Sequence, residues 1–418
     1  MNTNYKKENL AEHLVVLLCF FSCVSVFISN MIILLLSILW ISSGNWTHKL
    51  NTIKASNLSM AILLFLAFYI LGLSWGEVNI DSGKWISKQS LLLMIPILLS
   101  TKIKQKYINL SIGSFIIGML INSIISIGCF LDVYCMNYHH YSDQKVAVGF
   151  IDHFDHSVFL GFIIIFLISL MILYKYSFVK RLFLGGTILL FIISLFLSHG
   201  RTGQYAFLLL LGLYLIMTYY SNVKNLIISL ISFSVIFTIM INKSDVFKDR
   251  FLLIIQETSA FYDLVQYSSE NTKDTTVTDT AIGDRLTYII NYSKLIRKNL
   301  LFGSGSGLSI KKYNSIEGRV FPNVPARPPH NNYVFILAEL GFVGLFIWIN
   351  IFIQLFRDIY AKSCIQKRNI KLILPIMFLI ICLADEYLVR HTPTLFFCLF
   401  TSLFCVREDK CQDNTKDL

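Results

Sequence analysis

The sequence predicts an all-α polytopic membrane protein of about 12 transmembrane helices, with one large, partly helical loop before the last three. Three observations carry this. Of the 418 residues, 55% are hydrophobic and only 15% charged, and the mean hydropathy is +0.64; a soluble chain of this size needs more polar surface. Apolar runs long enough to cross a hydrocarbon core of about 30 Å recur along the whole chain. Lys and Arg are dense in alternate gaps between those runs, the pattern that sets membrane orientation.

The runs lie at 12–28, 30–43, 57–75, 86–101, 107–131, 155–174, 182–198, 203–219, 225–241, 331–356, 371–388 and 390–406. The first two read either as one long span broken at Ser29-Asn30 or as a tight hairpin of two. Charge favours the hairpin. With the N-terminus in the cytoplasm, nineteen basic residues fall in cytoplasmic segments, against five in the short outer segments and helix mouths (Lys84, Lys88, Lys145, Arg201 and Arg390). Removing one early span would put the neighbouring loops on inconsistent sides. The chain then divides into 1–241 with nine spans, a large outer loop at 242–330, three spans at 331–406 and a cytoplasmic tail at 407–418. No cleavable signal peptide is evident, because the first apolar run leads into further spans and not into a small-residue cleavage site.

The net charge of +11 would suggest nucleic acid in a soluble protein. Here basic cytoplasmic loops account for it, and no nucleic-acid partner is expected. The nine cysteines lie mostly inside apolar runs and form no C-x-x-C pair, so they indicate neither a zinc site nor a disulfide framework.

The other twelve basic residues lie in the loop 242–330, and long loops escape the charge rule. Within it, 242–257 can form an amphipathic helix, and 268–280 is polar without apolar periodicity. The stretch 282–301 spaces Leu286, Ile289, Ile290, Ser293 and Ile296 at helical intervals. The sequence "FGSGSG" (302–307) ends that helix. It lacks the Lys-Ser/Thr pair of a nucleotide-binding loop, so it reads as a C-cap and tight turn.

The twelve-span arrangement gathers polar groups on one face. Arg201 opens a span at the outer surface, Arg285 and His330 lie in the outer loop, and Asp385, Glu386, Arg390 and His391 lie at the outer turn between the last two spans. Asp152, His153, Asp155 and His156 begin another span on the same side. Ionisable groups at a bilayer edge are functional candidates. Each also has an ordinary reading. Arg201 suits a snorkelling anchor, Arg285 a partner for Asp284, and His330 an interfacial histidine. The "DHFDH" pair of histidines has a spacing that suits a metal, but without further ligands an interfacial cap is preferred; no metal and no cofactor is expected.

Proline density from Pro322 to Pro329 disfavours helix before each proline and fixes where the next span begins. His330 and Asn331 fall at that helix N-terminus, whose free N–H groups and partial positive charge favour anions. The same field is expected to keep His330 neutral, as a proton acceptor must be. Two arginines reaching this place would offer planar forks to phosphate oxygens. The constellation reads as a site for an anionic leaving group with a general base.

The order "SHGRTG", "DRLTYIINYSKLIRKNLLFGSGSG" and "PHNNYVFILAELGFVGLF" resembles the O-antigen ligase and Wzy-type polymerase superfamily, over about 195–350. Relatives carry a similar Arg helix, an "lfGxGxG" turn and "HNxyL…lxExGixGL". Many have Ser-Arg-Gly at the first motif, where this chain has Ser-His-Gly-Arg. The resemblance implies a GT-C-like membrane fold in the bacterial inner membrane, with a site facing the periplasm. It implies a metal- and nucleotide-independent, inverting glycosyltransferase of lipopolysaccharide biosynthesis. The donor would be a glycan on undecaprenyl pyrophosphate and, in the ligase branch favoured here, the acceptor a lipid A–core oligosaccharide. It implies catalytic roles for His330, Arg285 and Arg201, with His330 activating the acceptor hydroxyl and the arginines holding the pyrophosphate. Arg327, Asn331, Asp385 and Arg390 join the arginines as expected substrate-binding residues. The alternatives are a polymerase using the same donor class and a transporter of polysaccharide or lipid. A transporter would place charge at mid-membrane and show repeats; the spans are largely free of such charge and the halves show no repeat.

Overall fold

The computed structural model describes residues 2–76, 80–133, 148–198, 200–243, 255–263, 280–322 and 324–406. These are helical, with no strand among the described residues. The first half holds α1 (Asn2–Phe21), α2 (Val26–Ser42), α3 (Trp46–Ala55), α4 (Asn57–Leu71), α5 (Ile80–Ser90), α6 (Met94–Ser100), α7 (Gln105–Phe130) and α8 (His153–Leu173). There follow α9 (Phe178–Leu197), α10 (Arg201–Tyr219), α11 (Val223–Lys243), α12 (Ala281–Lys298), α13 (Ser309–Tyr313), α14 (Asn332–Lys362), α15 (Ile365–Ile381) and α16 (His391–Cys405). Residues 255–263 form a further helical segment. The expected amphipathic helix at 242–257 and the polar stretch 268–280 lie largely outside the described residues.

Each apolar run expected to span is helical over most of its length, although 22–25 and 382–388 are turns. Among the described residues, five helices qualify as membrane spans by length and apolarity alone: α7, α8, α9, α10 and α14. The pair α2 and α3 qualifies jointly but is bent by 113°, which makes six. The expected span 225–241 lies within α11, an unbroken helix of 21 residues, and the remaining expected spans are shorter apolar helices or are broken. The run 86–101 is one such break: α5 gives way to a 3₁₀ turn at Leu91–Leu93 before α6. Pro96, which has no N–H to donate, sits in the first turn of α6, where none is needed.

Helices in a membrane are held by close packing and not by exclusion from water. Small residues make that approach possible at two places that matter for the site. A Cβ on Gly118 of α7 would lie 2.9 Å from the Phe20 carbonyl oxygen, so α7 closes directly on α1. A Cβ on Gly203 of α10 would lie 2.3 Å from the Ser157 backbone, so α10 closes on α8. The interior between α7, α8 and α16 is a stack of phenylalanines, with Phe159 and Phe396 parallel at 4.4 Å and Phe115 edge-on to Phe400 at 4.9 Å. Such pairs contribute roughly 0.5–1.5 kcal/mol each beyond their area.

The long helix α14 is broken at Gly341, which has φ +65°. The break is filled by the chain that follows α12. Leu300 and Leu301 carbonyls accept the N–H groups of Phe342 and Val343, at 2.9 and 3.2 Å. Ser304 and Gly305 N–H groups donate to the Ala338 and Glu339 carbonyls, at 2.8 and 2.9 Å. Four backbone groups on either side of the break, the Phe342 and Val343 N–H groups and the Ala338 and Glu339 carbonyls, are thereby paired, as a bilayer interior favours.

Candidate active site

The "PHNNY" stretch is the hinge on which one end of the bundle is assembled. Asn331 is the N-cap of α14: its Oδ1 accepts from the Tyr333 and Val334 N–H groups at 2.9 and 3.1 Å. Its Nδ2 donates to the Leu383 carbonyl at 3.0 Å. Asn332 donates its backbone N–H to the Cys382 carbonyl at 2.8 Å, and its Oδ1 accepts the Leu388 N–H at 3.1 Å. The two asparagines thus pin the turn 382–388, between α15 and α16, against the start of α14. Between Pro329 and this clamp, His330 is held at φ +49°, in the left-handed region. That conformation costs about 1–3 kcal/mol for a non-glycine residue and persists only where the surroundings impose it.

The imposed geometry puts His330 Nδ1 3.2 Å from Asp385 Oδ1 and 3.9 Å from Glu386 Oε2. Asp385 Oδ1 also accepts the Glu386 N–H at 2.9 Å, and its Oδ2 accepts from Arg390 Nη1 at 3.1 Å. Burial alone would raise the Asp385 carboxyl. Hydrogen bonds from His330 and Glu386 and the charge of Arg390 outweigh it and hold the group well below the usual carboxylate range. An ionised carboxylate only accepts, so Nδ1 carries the proton and Nε2 presents the lone pair. Burial, then the hydrogen bond and charge of Asp385, push Glu386 up to about 8. The expectation that the helix N-terminus keeps His330 neutral is corrected here. The hydrogen bond to Asp385 raises the imidazole pKa, against the opposing effect of burial. A paired carboxylate in contact outweighs the partial charge of a helix end.

Arg390 lies inside an acidic cluster. Its Nη2 is 3.0 Å from Asp155 Oδ1 and 3.4 Å from Asp152 Oδ2, besides the bond to Asp385. The "DHFDH" segment is accounted for by this cluster and by capping. Asp152 caps α8 through Phe154 N–H at 3.2 Å and lies 2.9 Å from His153 Nδ1. His156 turns away into the bundle, between Asn122 Nδ2 at 2.7 Å and Ser194 Oγ at 3.0 Å. The metal-capable group assembled by the fold is a different one, His330, Asp385 and Glu386, whose ligand atoms lie within 4.8 Å of one another. Both Asp385 oxygens are already engaged, one by a guanidinium, which disfavours a dication beside them.

Arg285 arrives on the first turns of α12. Thr280 caps that helix, its Oγ1 accepting the Gly283 N–H at 3.0 Å, and Glu257 Oε2 accepts the Ile282 N–H at 3.2 Å. The charge of Arg285 reaches the His330 imidazole, and Tyr288, one turn further, meets the His330 ring edge-on at 6.0 Å. The buried face of α12 is not the one marked by Leu286, Ile289, Ile290, Ser293 and Ile296, which are half-exposed. It is Thr287, Tyr288, Asn291, Tyr292 and Leu295. The polar atoms on that face are satisfied: Tyr288 and Tyr292 hydroxyls donate to the Pro325 and Arg327 carbonyls at 2.8 and 2.9 Å. Asn291 donates to Tyr313 Oη and the Val320 carbonyl at 2.9 and 3.0 Å. The proline-rich segment is therefore tied along α12, which fixes Arg285 relative to His330.

Arg201 is the first residue of α10, seated by Gly200 and Gly203 against Ser157 at the start of α8. It stands at the same end of the bundle as His330, on the Arg390 side. The guanidinium groups of Arg201, Arg285 and Arg327 have no hydrogen-bond or ion-pair partner among the described residues, and Arg327 is exposed. Of the expected residues, His330, Asp385 and Arg390 are in direct contact and Arg285 is adjacent. Asn331 is occupied as a cap, and Arg201 and Arg327 border the group.

The sequence reading assigned no role to Glu339. It is fully buried on α14, yet its carboxylate takes four hydrogen bonds. Tyr69 Oη and Gly307 N–H donate to Oε2 at 2.7 and 2.5 Å, and Ser309 Oγ and N–H donate to Oε1 at 2.7 and 3.3 Å. The "FGSGSG" turn wraps this carboxylate. Gly303, Gly305 and Gly307 have φ of +67°, +98° and +74°, and Cβ atoms there would lie 2.5–2.7 Å from neighbouring backbone. The signal was present: a lone acid in an apolar run, preceded by a turn rich in free N–H groups.

Residues 186–349 match the family model described as O-antigen ligase. The match begins in α9 and ends past the Gly341 break, so it takes in Arg201, Arg285, the glycine turn, His330 and Glu339. No curated protein matches the chain.

Proposed function

We propose that this chain, which carries an O-antigen ligase/Wzy superfamily domain over residues 186–349, is an O-antigen ligase. It transfers a glycan from undecaprenyl pyrophosphate to a lipid A–core oligosaccharide, at the periplasmic face of the bacterial inner membrane. The observation that carries the reading is the His330–Asp385 pair beside Arg285, whose guanidinium has no protein partner among the described residues. In this reading Asp385 fixes the imidazole so that Nε2 takes the proton of the acceptor hydroxyl. The hydroxyl oxygen attacks the anomeric carbon from the face opposite the leaving group, with inversion. The bond to the pyrophosphate breaks, and its electron pair leaves on the phosphate oxygen. Arg285 and Arg201 neutralise that charge as planar forks. Two arginines and a helix N-terminus can do this without metal or nucleotide. Arg390 is a positioning residue in this scheme, since three carboxylates already surround it. The distribution of basic residues supports the periplasmic side.

The test is the lipopolysaccharide pattern of a strain lacking the gene, complemented with wild type or His330→Ala. Free core together with accumulated lipid-linked long chains supports a ligase. Core carrying a single repeat assigns a polymerase instead, and an unaltered pattern overturns both.

A further inference from the structure

At the end of the bundle opposite His330, the bend between α2 and α3 opens a cavity of about 290 Å³. α7 separates the two ends: it begins at Gln105, just beyond this cavity, and runs the length of the bundle. The bend is made by Gly44 and Asn45, both in the left-handed region at φ +66° and +54°. One wall is apolar, with Leu36, Leu39, Ile97 and Leu98. The other is polar and basic, with Lys49, Lys102, His48, Ser43 and Thr101, and none of the lining residues is acidic.

The basic wall is built and not merely exposed. Lys49 is a buried lysine whose Nζ donates to Ser43 Oγ at 2.7 Å and to the Trp40 carbonyl. The ammonium lies 4.9 Å from the Trp40 ring and 5.0 Å from the Trp46 ring, which stand edge-to-face at 5.3 Å. Trp40 is locked in turn by its Nε1 donating to Ser100 Oγ at 2.9 Å. Lys102 is exposed at the mouth. On the outside of α2, Leu34, Leu35 and Ile38 are about half exposed, the surface that acyl chains cover in a bilayer.

An amphipathic cavity with one fixed cation inside and a second at its mouth, flanked by tryptophans, matches one ligand chemistry: a phosphate ester carried on an apolar tail. We propose that this cavity binds the headgroup of an anionic membrane phospholipid, with Lys49 and Lys102 facing its phosphate and the Leu36–Leu39 wall receiving its glycerol and first methylenes. The site lies apart from His330 and does not depend on the reaction assigned there.

The test uses the full-length protein purified in detergent, titrated with phosphatidylglycerol or phosphatidylcholine of identical chains and read by native mass spectrometry. The expected result is preferential retention of phosphatidylglycerol. Lys102→Glu, at an exposed position that should not disturb folding, should lower that retention by at least about fivefold. Lys49→Met should do the same where the protein remains monodisperse. Equal retention of the two lipids, or phosphatidylglycerol binding unchanged in Lys102→Glu, overturns the proposal. Displacement of the lipid by an equal concentration of inorganic phosphate overturns the lipid assignment, since the apolar wall would then contribute nothing.

Discussion

His330 Nδ1 stands 3.2 Å from Asp385 Oδ1, and the same carboxylate is held from its other oxygen by Arg390. The pair raises the imidazole pKa above the ordinary value of about 6.5. A base with a raised pKa is blocked by its proton below that value and becomes available above it. Transfer should therefore rise with pH along a limb centred above 6.5. Asp385→Asn removes the charge and the tautomer restraint together. The limb should move to lower pH while the maximum rate falls by about 10²–10⁴. Glu386→Gln should also lower the limb, by removing a negative charge that appears near pH 8, with a smaller loss of rate. A limb that does not move in Asp385→Asn would show that His330 is not the titrating base.

Arg285 and Arg201 should separate from His330 in binding. Arg285→Ala is expected to weaken donor binding and turnover together, and Arg285→Lys to restore only part of each, because an ammonium lacks the planar fork. Arg201→Ala should weaken donor binding in the same sense. His330→Ala should lose about 10²–10⁴ in rate with donor affinity retained. Transfer rate and lipid-donor affinity in nanodiscs distinguish these. Equal affinity for wild type and Arg285→Ala would remove that arginine from the pyrophosphate.

Chelation tests the carboxylate cluster from another side. His330, Asp385 and Glu386 are close enough to hold a divalent ion, yet Arg390 and the His330 proton already occupy Asp385. Activity should be unchanged after EDTA treatment. Loss on chelation, recovered with a divalent ion and absent in Glu386→Gln, would convert the dyad into a metal centre.

The candidate residues stand out in the sequence because of their surroundings. Arg201, His330 and Arg390 flank apolar runs and Asp385 ends one, and a charge beside a membrane span needs a reason, whereas Arg285 stands out only by its place in the motif order of the outer loop. What joins them was not legible. Nothing in the spacing says that Asn332 reaches across 56 residues to Leu388, or that α14 unwinds at Gly341 to receive residues 300–305. The helical spacing of 282–301 marks α12 but not its buried face, for a physical reason. Its tyrosines find carbonyl partners in the proline-rich segment and Asn291 finds the Tyr313 hydroxyl of α13, so the polar-tipped face is buried. Apolar periodicity cannot register a face stabilised in that way. The run 86–101 looked continuous because leucines conceal the turn before α6.

Orientation is open to a direct test. The nineteen-to-five distribution of basic residues predicts that residues 242–330 lie outside the cytoplasm. A periplasm-active reporter fused at Asn271 should be active, and a cytoplasm-active reporter should be active at Lys367. Cytoplasmic activity at Asn271 would invert the bundle, with His330 facing the cytoplasm, away from any periplasmic acceptor.

Glu339 should matter for folding more than for chemistry. Its four donors come from α4, from the glycine turn and from α13, so one carboxylate fastens three parts of the chain to α14. Glu339→Leu fills the space but leaves the Tyr69 hydroxyl, the Gly307 N–H and Ser309 without an acceptor. Each buried orphan costs about 1–3 kcal/mol. Glu339→Gln keeps one acceptor oxygen but turns an amide towards donors, so it should fall between Leu and wild type. Gly341→Ala attacks the same joint through the backbone. A Cβ there would lie 2.3 Å from the Leu301 carbonyl oxygen, at a φ of +65° that alanine resists. Thermal unfolding in detergent should therefore rank wild type above Glu339→Gln, and Glu339→Gln above Glu339→Leu, with Gly341→Ala also well below wild type. Donor affinity per folded molecule should change little in Glu339→Gln, because Arg285 and Arg201 do not touch the carboxylate. A Glu339→Leu protein that melts with the wild type would show that the glycine turn holds to α14 by its backbone bonds to Ala338 and Glu339 alone.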